Sequence, residues 1–105
     1  MNKFENVVIF GASQGIGKAL ALEYISAGSK LVILSRNAAQ TKLLSEEITA
    51  GGGKCYYLTC DITSTESVKS GIIFAAEKLG KIDLVIINSG VGGPNWMESF
   101  SSKQF

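Results

Sequence analysis

The chain contains no histidine and only two cysteines, Cys55 and Cys60, among its 105 residues. That donor set cannot supply the four Cys/His ligands a structural zinc site normally takes. The two thiols lie five residues apart on one predicted strand, so alternation sends them to opposite faces of a sheet and makes a mutual disulfide implausible. Buried or half-buried free thiols suit a reducing compartment, and a cytoplasmic protein is expected. No apolar run approaches the roughly 20 residues of a membrane-spanning helix. Met1 to Asn6 leads straight into a predicted strand, with no leader pattern. Ten basic and nine acidic residues leave a net charge of +1 and no basic stripe, which argues against nucleic acid or an anionic membrane as the main partner.

Core-forming material, by contrast, is plentiful: 46% of the residues are hydrophobic, enough for one small domain and too much for a disordered chain. Four short apolar runs recur at about 25-residue spacing, Val7 to Phe10, Leu31 to Leu34, Tyr56 to Cys60 and Leu84 to Ile87. Three of them are continuous rather than alternating, as parallel strands covered on both faces are. Helical segments lie between them. The first carries Ile16, Ala19, Leu20, Tyr24 and Ala27 on one face and stops at Gly28. The second is capped by Asn37, buries Leu44 and Ile48, and ends at Gly51-Gly52-Gly53. The third opens on the capping-box spacing Thr63-Ser64-Thr65-Glu66, carries the stripe Val68, Ile72, Ala75 and Leu79, and closes at Gly80. Regular β-α alternation of this kind predicts an α/β fold with a doubly wound parallel sheet. Tyr56-Tyr57 reads as sheet packing rather than a stacking platform. Asn88 to Pro94 reads as a loop, and Ser101 and Ser102 as helix caps.

The stretch that organises the chain is Phe10-Gly11-Ala12-Ser13-Gln14-Gly15-Ile16-Gly17-Lys18. A strand, a glycine-rich turn and a helix in that order form an anion site, because the backbone turns sharply and free N–H groups at the helix start point outward. A phosphate-bearing nucleotide is the expected ligand; a plain β-to-α turn is the alternative. Gly17-Lys18 is not part of a P-loop, since Ala12 and Ala19 stand where that motif needs Gly and Ser/Thr.

Gly11-Ala12-Ser13-Gln14-Gly15-Ile16-Gly17 resembles the cofactor loop of the short-chain dehydrogenase/reductase family, with Phe10 where the family usually has Thr. The resemblance implies a Rossmann-type sheet of strand order 3-2-1-4, the first two helices on one face and the third on the other. Strand 4 is then expected as an apolar edge and the sheet as incomplete at the carboxy end, so that a longer folding unit or a homo-oligomer covers it. Within the loop, the resemblance implies Gly11, Ser13, Gln14, Gly15, Ile16 and Gly17 as cofactor-binding residues.

Three further segments follow the family's order. Ser35 stands where the family often has an acid that holds the ribose of NAD, and Arg36 follows it, a pairing that favours NADP (NADPH) over NAD because a guanidinium pairs with the 2′-phosphate. The same missing acid counts against an S-adenosylmethionine-dependent methyltransferase. A solvated surface arginine is the alternative for Arg36. Asp61 and Ile62 correspond to the family's adenine contacts, while Asp61 alone reads equally as a turn or cap residue. Asn88-Ser89-Gly90 resembles the family's Asn-Ala-Gly segment, with Ile87 for its preceding Asn and a simple strand-end turn as the competing account.

The family's Tyr-x-x-x-Lys is missing: the residues four after Tyr24, Tyr56 and Tyr57 are Gly28, Cys60 and Asp61. No catalytic residue is therefore assigned. Residues 1–105 are expected to form the NAD(P)-binding Rossmann half of an oxidoreductase that transfers hydride between the cofactor and a small-molecule carbonyl or alcohol substrate, inactive by itself. A non-catalytic dinucleotide-binding or oligomerising module, and a fragment without its own function, are the rival readings. Of the substrate pocket only Val91 to Trp96 could contribute, and Trp96 reads more readily as packing.

Overall fold

A computed structural model describes residues 4–12 and 15–88, together with the backbone of residues 98–100. Its elements run β1 (Asn6–Phe10), α1 (Gly15–Ser26), β2 (Lys30–Ser35), α2 (Ala38–Ala50), β3 (Cys55–Thr59), α3 (Thr65–Leu79), β4 (Leu84–Ile87) and β5 (Glu98–Phe100). The sheet order is β3-β2-β1-β4-β5, with the first four strands parallel. Continuous apolar strands sit in its centre: all of β1 is buried, as are Leu31 to Leu34 of β2 and Leu84 to Ile86 of β4. This is the pattern expected when βαβ crossovers place helices on both faces.

Alternation along the strands sorts the side chains into two cores. Val7, Ile9, Leu31, Ile33, Leu84 and Ile86 face α1 and α2, where they meet Ala21, Leu44 and Ile48. Val8, Phe10, Val32, Leu34 and Val85 face α3 and its Ala75 and Leu79. Cys55 belongs to the first core and Cys60 to the second, and both thiols are free and buried. Opposite faces thus separate the cysteines, as their spacing requires. Leu34 fills the space that Gly71 of α3 leaves open, with the Phe10 ring beside it, since a Cβ on Gly71 would lie 2.9 Å from Leu34 Cδ2 and 3.6 Å from Phe10 Cε1. The residue that replaces the family's Thr therefore packs in the α3-side core.

Several expectations are corrected. β4 is not the edge of the sheet, because β5 pairs with it antiparallel, Val85 opposite Phe100 and Ile87 opposite Glu98. Three residues without a β-branched side chain give a strand too little signal to read from sequence, and the argument from an open β4 edge to self-association lapses. On α1, Ile16 and Ala19 are exposed, Ile16 by 59%, as is Ala27 just past its end. The face against the sheet is made by Gly17 and Ala21, flanked by half-buried Leu20, Tyr24 and Ile25. Small residues face inward here because the helix starts close to the backbone of the glycine turn, so apolar bulk is a misleading guide to its inner face. The cap of α3 is Ser64 rather than Thr63: the Ser64 hydroxyl accepts from Ser67 N–H at 3.2 Å. β3 begins and ends one residue earlier than the apolar run suggests, leaving Cys60 just beyond it. Tyr56 packs against the α3-side core, whereas Tyr57 is 37% exposed.

Other local signals hold. Asn37 Oδ1 accepts from Gln40 N–H at 2.9 Å, capping α2, and Gly80 closes α3 with a φ of +80° that disfavours any side chain. The segment expected to carry helix caps at Ser101 and Ser102 lies outside the described residues, as does Trp96.

Candidate functional site

Parallel register brings the carboxy ends of the strands into one row: Phe10 stands opposite both Leu34 and Ile87, and Leu34 opposite Leu58. The residues that leave those ends therefore leave together. Gly11, Ser35 and Arg36, Asp61 and Ile62, and Asn88 all emerge along the same edge. Neighbouring strands are about 4.8 Å apart, so the three steps from β3 to β4 span about 14 Å. The row crosses β1, where the chain order reverses, and in open α/β sheets ligands bind outside the strand ends at such a point.

At its centre the backbone is packed so tightly that only glycine fits. Gly11 has a φ of +84°, and a Cβ there would collide with the Asn88 carbonyl oxygen. A Cβ on Gly17 would collide with the Gly11 carbonyl oxygen and sit 2.9 Å from both Ala12 Cα and Asn88 Nδ2. Two hydrogen bonds lock this arrangement, Gly11 N–H to the Leu34 carbonyl at 2.6 Å and Asn88 N–H to the Phe10 carbonyl at 3.0 Å. Asn88 is buried and points its Nδ2 at the Gly11 carbonyl, 3.5 Å away. The side chain thus braces the glycine turn from β4. Gly15 differs: its φ is +64°, but a Cβ there would meet nothing within 4 Å. The start of α1 at Gly15 consequently opens onto free space, while Gly17, further along the same turn, is packed against the glycine turn. Such a backbone cradle suits a pyrophosphate.

On the flank, the end of β3 is laced to the end of β2 by Cys60 N–H, which donates to the Ser35 carbonyl at 2.9 Å. Arg36 and Asp61 each follow directly. Arg36 is exposed, and its positive charge contributes to holding the Asp61 carboxyl below the ordinary value. The larger causes are two hydrogen bonds from Thr63, its hydroxyl at 2.6 Å and its N–H at 2.9 Å, both to Asp61 Oδ1. Asp61 therefore does form the turn that its residue type suggests. Among the described residues, Asp61 Oδ2 and the Ile62 N–H have no hydrogen-bond partner. An acceptor and a donor thus stand side by side at the end of the row.

Of the thirteen expected cofactor contacts, nine are described and share this edge: Gly11, Gly15, Ile16, Gly17, Ser35, Arg36, Asp61, Ile62 and Asn88. Ser13, Gln14, Ser89 and Gly90 lie outside the described residues. Sequence reasoning passed over Thr63 and Ser67, whose hydroxyls hold the Asp61 turn. A hydroxyl two residues after a strand-end Asp is the signal that points to Thr63; Ser67 carries none.

An open groove of about 820 Å³ lies elsewhere, along the outer edge of β3 between Ser45 and Thr49 of α2 and Phe74 and Lys78 of α3. Its lining includes none of the glycine turn, Arg36, Asp61 or Asn88, so the strand-end row is the better site. No group of three or more His, Cys, Asp or Glu among the described residues could hold a metal, and no described helix is long and apolar enough to cross a membrane.

Comparison with known proteins agrees with this geometry. The chain matches the family model "short chain dehydrogenase" over residues 5–105. It is 39% identical to the 7alpha-hydroxysteroid dehydrogenase of Escherichia coli K12 over 87 residues, covering 83% of this chain and 34% of that protein. It is 38% identical to bovine hydroxysteroid dehydrogenase-like protein 2, covering 92% of this chain and 25% of that one. A solved 7 alpha-hydroxysteroid dehydrogenase in complex with NADH and 7-oxo glycochenodeoxycholic acid superposes with a TM-score of 0.79 at 38% identity, covering 85% of this chain and 35% of that structure. The chain spans about a third of the length of the first of these curated relatives and a quarter of the second. By its glycine turn, its 3-2-1-4 parallel sheet and its sequence, the chain belongs to the short-chain dehydrogenase/reductase family of oxidoreductases.

Proposed function

We propose that this chain is the cofactor-binding part of a cytoplasmic, NADP-preferring oxidoreductase that interconverts a carbonyl and an alcohol. The cofactor, when bound, supplies the hydride. The glycine turn and the start of α1 hold the pyrophosphate, with Asn88 keeping the turn in shape. Asp61 and Ile62 take the adenine: the free Oδ2 accepts from its amino group and the Ile62 N–H donates to its ring nitrogen. Ser35 and Arg36 receive the 2′-phosphate.

The observation that carries the preference is the placement of Arg36. It is exposed at the end of β2, directly after Ser35, with no carboxylate on β2 to repel a phosphate. Asp61 already gives one oxygen to Thr63, so the guanidinium is not committed to a bidentate pair with it. The solved relative bound to NADH shows that the family also takes NAD; the choice here rests on these two residues. The likeness to proteins named hydroxysteroid dehydrogenases, one of them bound to a 7-oxo compound, supports a hydroxy- or oxo-bearing small molecule as the substrate class of the whole enzyme.

Calorimetric titration with NADPH and NADH tests the reading. NADPH is expected to bind at least about tenfold more tightly, as a charge-assisted phosphate contact allows, and Arg36→Ala to remove that advantage while leaving NADH binding unchanged. Equal affinities in the wild type would overturn the preference. Because the chain carries no Tyr-x-x-x-Lys, no oxidation of NADPH by carbonyl compounds is expected from it alone; turnover at ordinary enzymatic rates would contradict its reading as the cofactor-binding part.

A further inference from the structure

We propose that Thr63 and Ser67 are positioning residues that preform the adenine-reading turn, one fixing its carboxylate and the other its backbone. The inference rests on the assignment of Asp61 and Ile62 to the adenine.

The turn spans only the residues between the end of β3 and the cap of α3, and it is held at three levels. Thr63 clamps Asp61 Oδ1 with its hydroxyl at 2.6 Å and its N–H at 2.9 Å, which leaves Oδ2 as the remaining acceptor. Ser67, one turn into α3, accepts from Asp61 N–H at 2.9 Å. Its hydroxyl in turn approaches Cys60 Sγ at 3.5 Å, while its own N–H is held by Ser64 Oγ at 3.2 Å. Asp61 N–H is thereby engaged inward, and the next N–H, that of Ile62, is left as the donor. Each hydroxyl determines one member of the outward pair.

An acceptor beside a donor is complementary to adenine, which presents an amino donor beside a ring-nitrogen acceptor on its Watson–Crick edge. Hypoxanthine presents the reverse, a carbonyl oxygen beside an N–H, so it opposes oxygen to oxygen and N–H to N–H. The two bases share shape and stacking. A turn held in place discriminates between them, whereas a loose one turns either pair of atoms toward either base.

The test is calorimetric titration of the chain with NADPH and with its hypoxanthine analogue. The wild type is expected to favour NADPH by about tenfold or more, the scale of one mispaired polar contact. Thr63→Val and Ser67→Ala are each expected to reduce that ratio severalfold, and Thr63→Ser to restore it, with circular dichroism unchanged. A ratio unchanged in both Thr63→Val and Ser67→Ala overturns the inference. So does equal weakening of both ligands, which is what general loosening of α3 produces. Failure of the underlying reading looks different: the wild type itself then binds both dinucleotides alike, or neither.

Discussion

Gly15 and Gly17 stand two residues apart in one motif, yet the structure asks different things of them. At Gly15 the demand is conformational: φ is +64° with open space around it, so Gly15→Ala is expected to cost about 1 kcal/mol of left-handed strain. At Gly17 the demand is steric, since a Cβ meets the backbone of Gly11 and Ala12, which cannot rotate away as a side chain can. Overpacking at that point should cost about 3 kcal/mol, outweighing the roughly 1 kcal/mol that alanine gains in helix propensity. Urea unfolding of the two variants checks this, with Gly17→Ala the less stable. Both glycines are legible as a motif, but their separate reasons are not. The Gly17 requirement arises from Gly11 and Asn88, residues brought to it from β1 and β4.

Among the elements, α3 shows how a plausible local pattern can be offset by one residue. Thr63 and Glu66 have capping-box spacing, but Thr63 is engaged with the Asp61 carboxylate and Ser64 takes over the cap. Ser64→Ala is therefore expected to destabilise by about 1 kcal/mol. Glu66→Ala should cost no more than about 0.5 kcal/mol, the scale of its interaction with the helix N-terminus. Equal losses in thermal or urea unfolding would return the cap to the Thr63–Glu66 box. The other caps, Asn37 and Gly80, were readable because nothing competes for them. On α1 the apolar stripe failed for a related reason: the inner face is set by how near the helix start lies to the glycine turn, and there Gly17 and Ala21 displace Ile16 and Ala19.

For the molecule as a whole, the core under α1 and α2 reports on global unfolding through Cys55, which is buried in it. Burial pushes the Cys55 thiol from its ordinary 9.0 up to about 11, partly offset by its hydrogen bond with Ser45. Between those values the unfolded chain has lost the proton and the folded chain retains it, so the unfolded state binds fewer protons and stability falls as pH rises. The loss is complete above about 11 and amounts to on the order of 2 kcal/mol. Urea unfolding at pH 8 and 10.5 should show this extra decline in the wild type and not in Cys55→Ala. The order of strands and helices, the two-sided burial of the sheet and the separation of the cysteines were determined by the sequence alone. Each depends on the period of apolar residues along a strand and on glycine between elements, and these are local properties. What the tertiary structure decided is whatever two distant segments make between them: the Asn88 brace on the Gly11 turn, the pairing of β5 with β4, and the hydroxyls that hold Asp61. Those contacts depend on register and on close backbone approach between separate elements, quantities that no local pattern encodes.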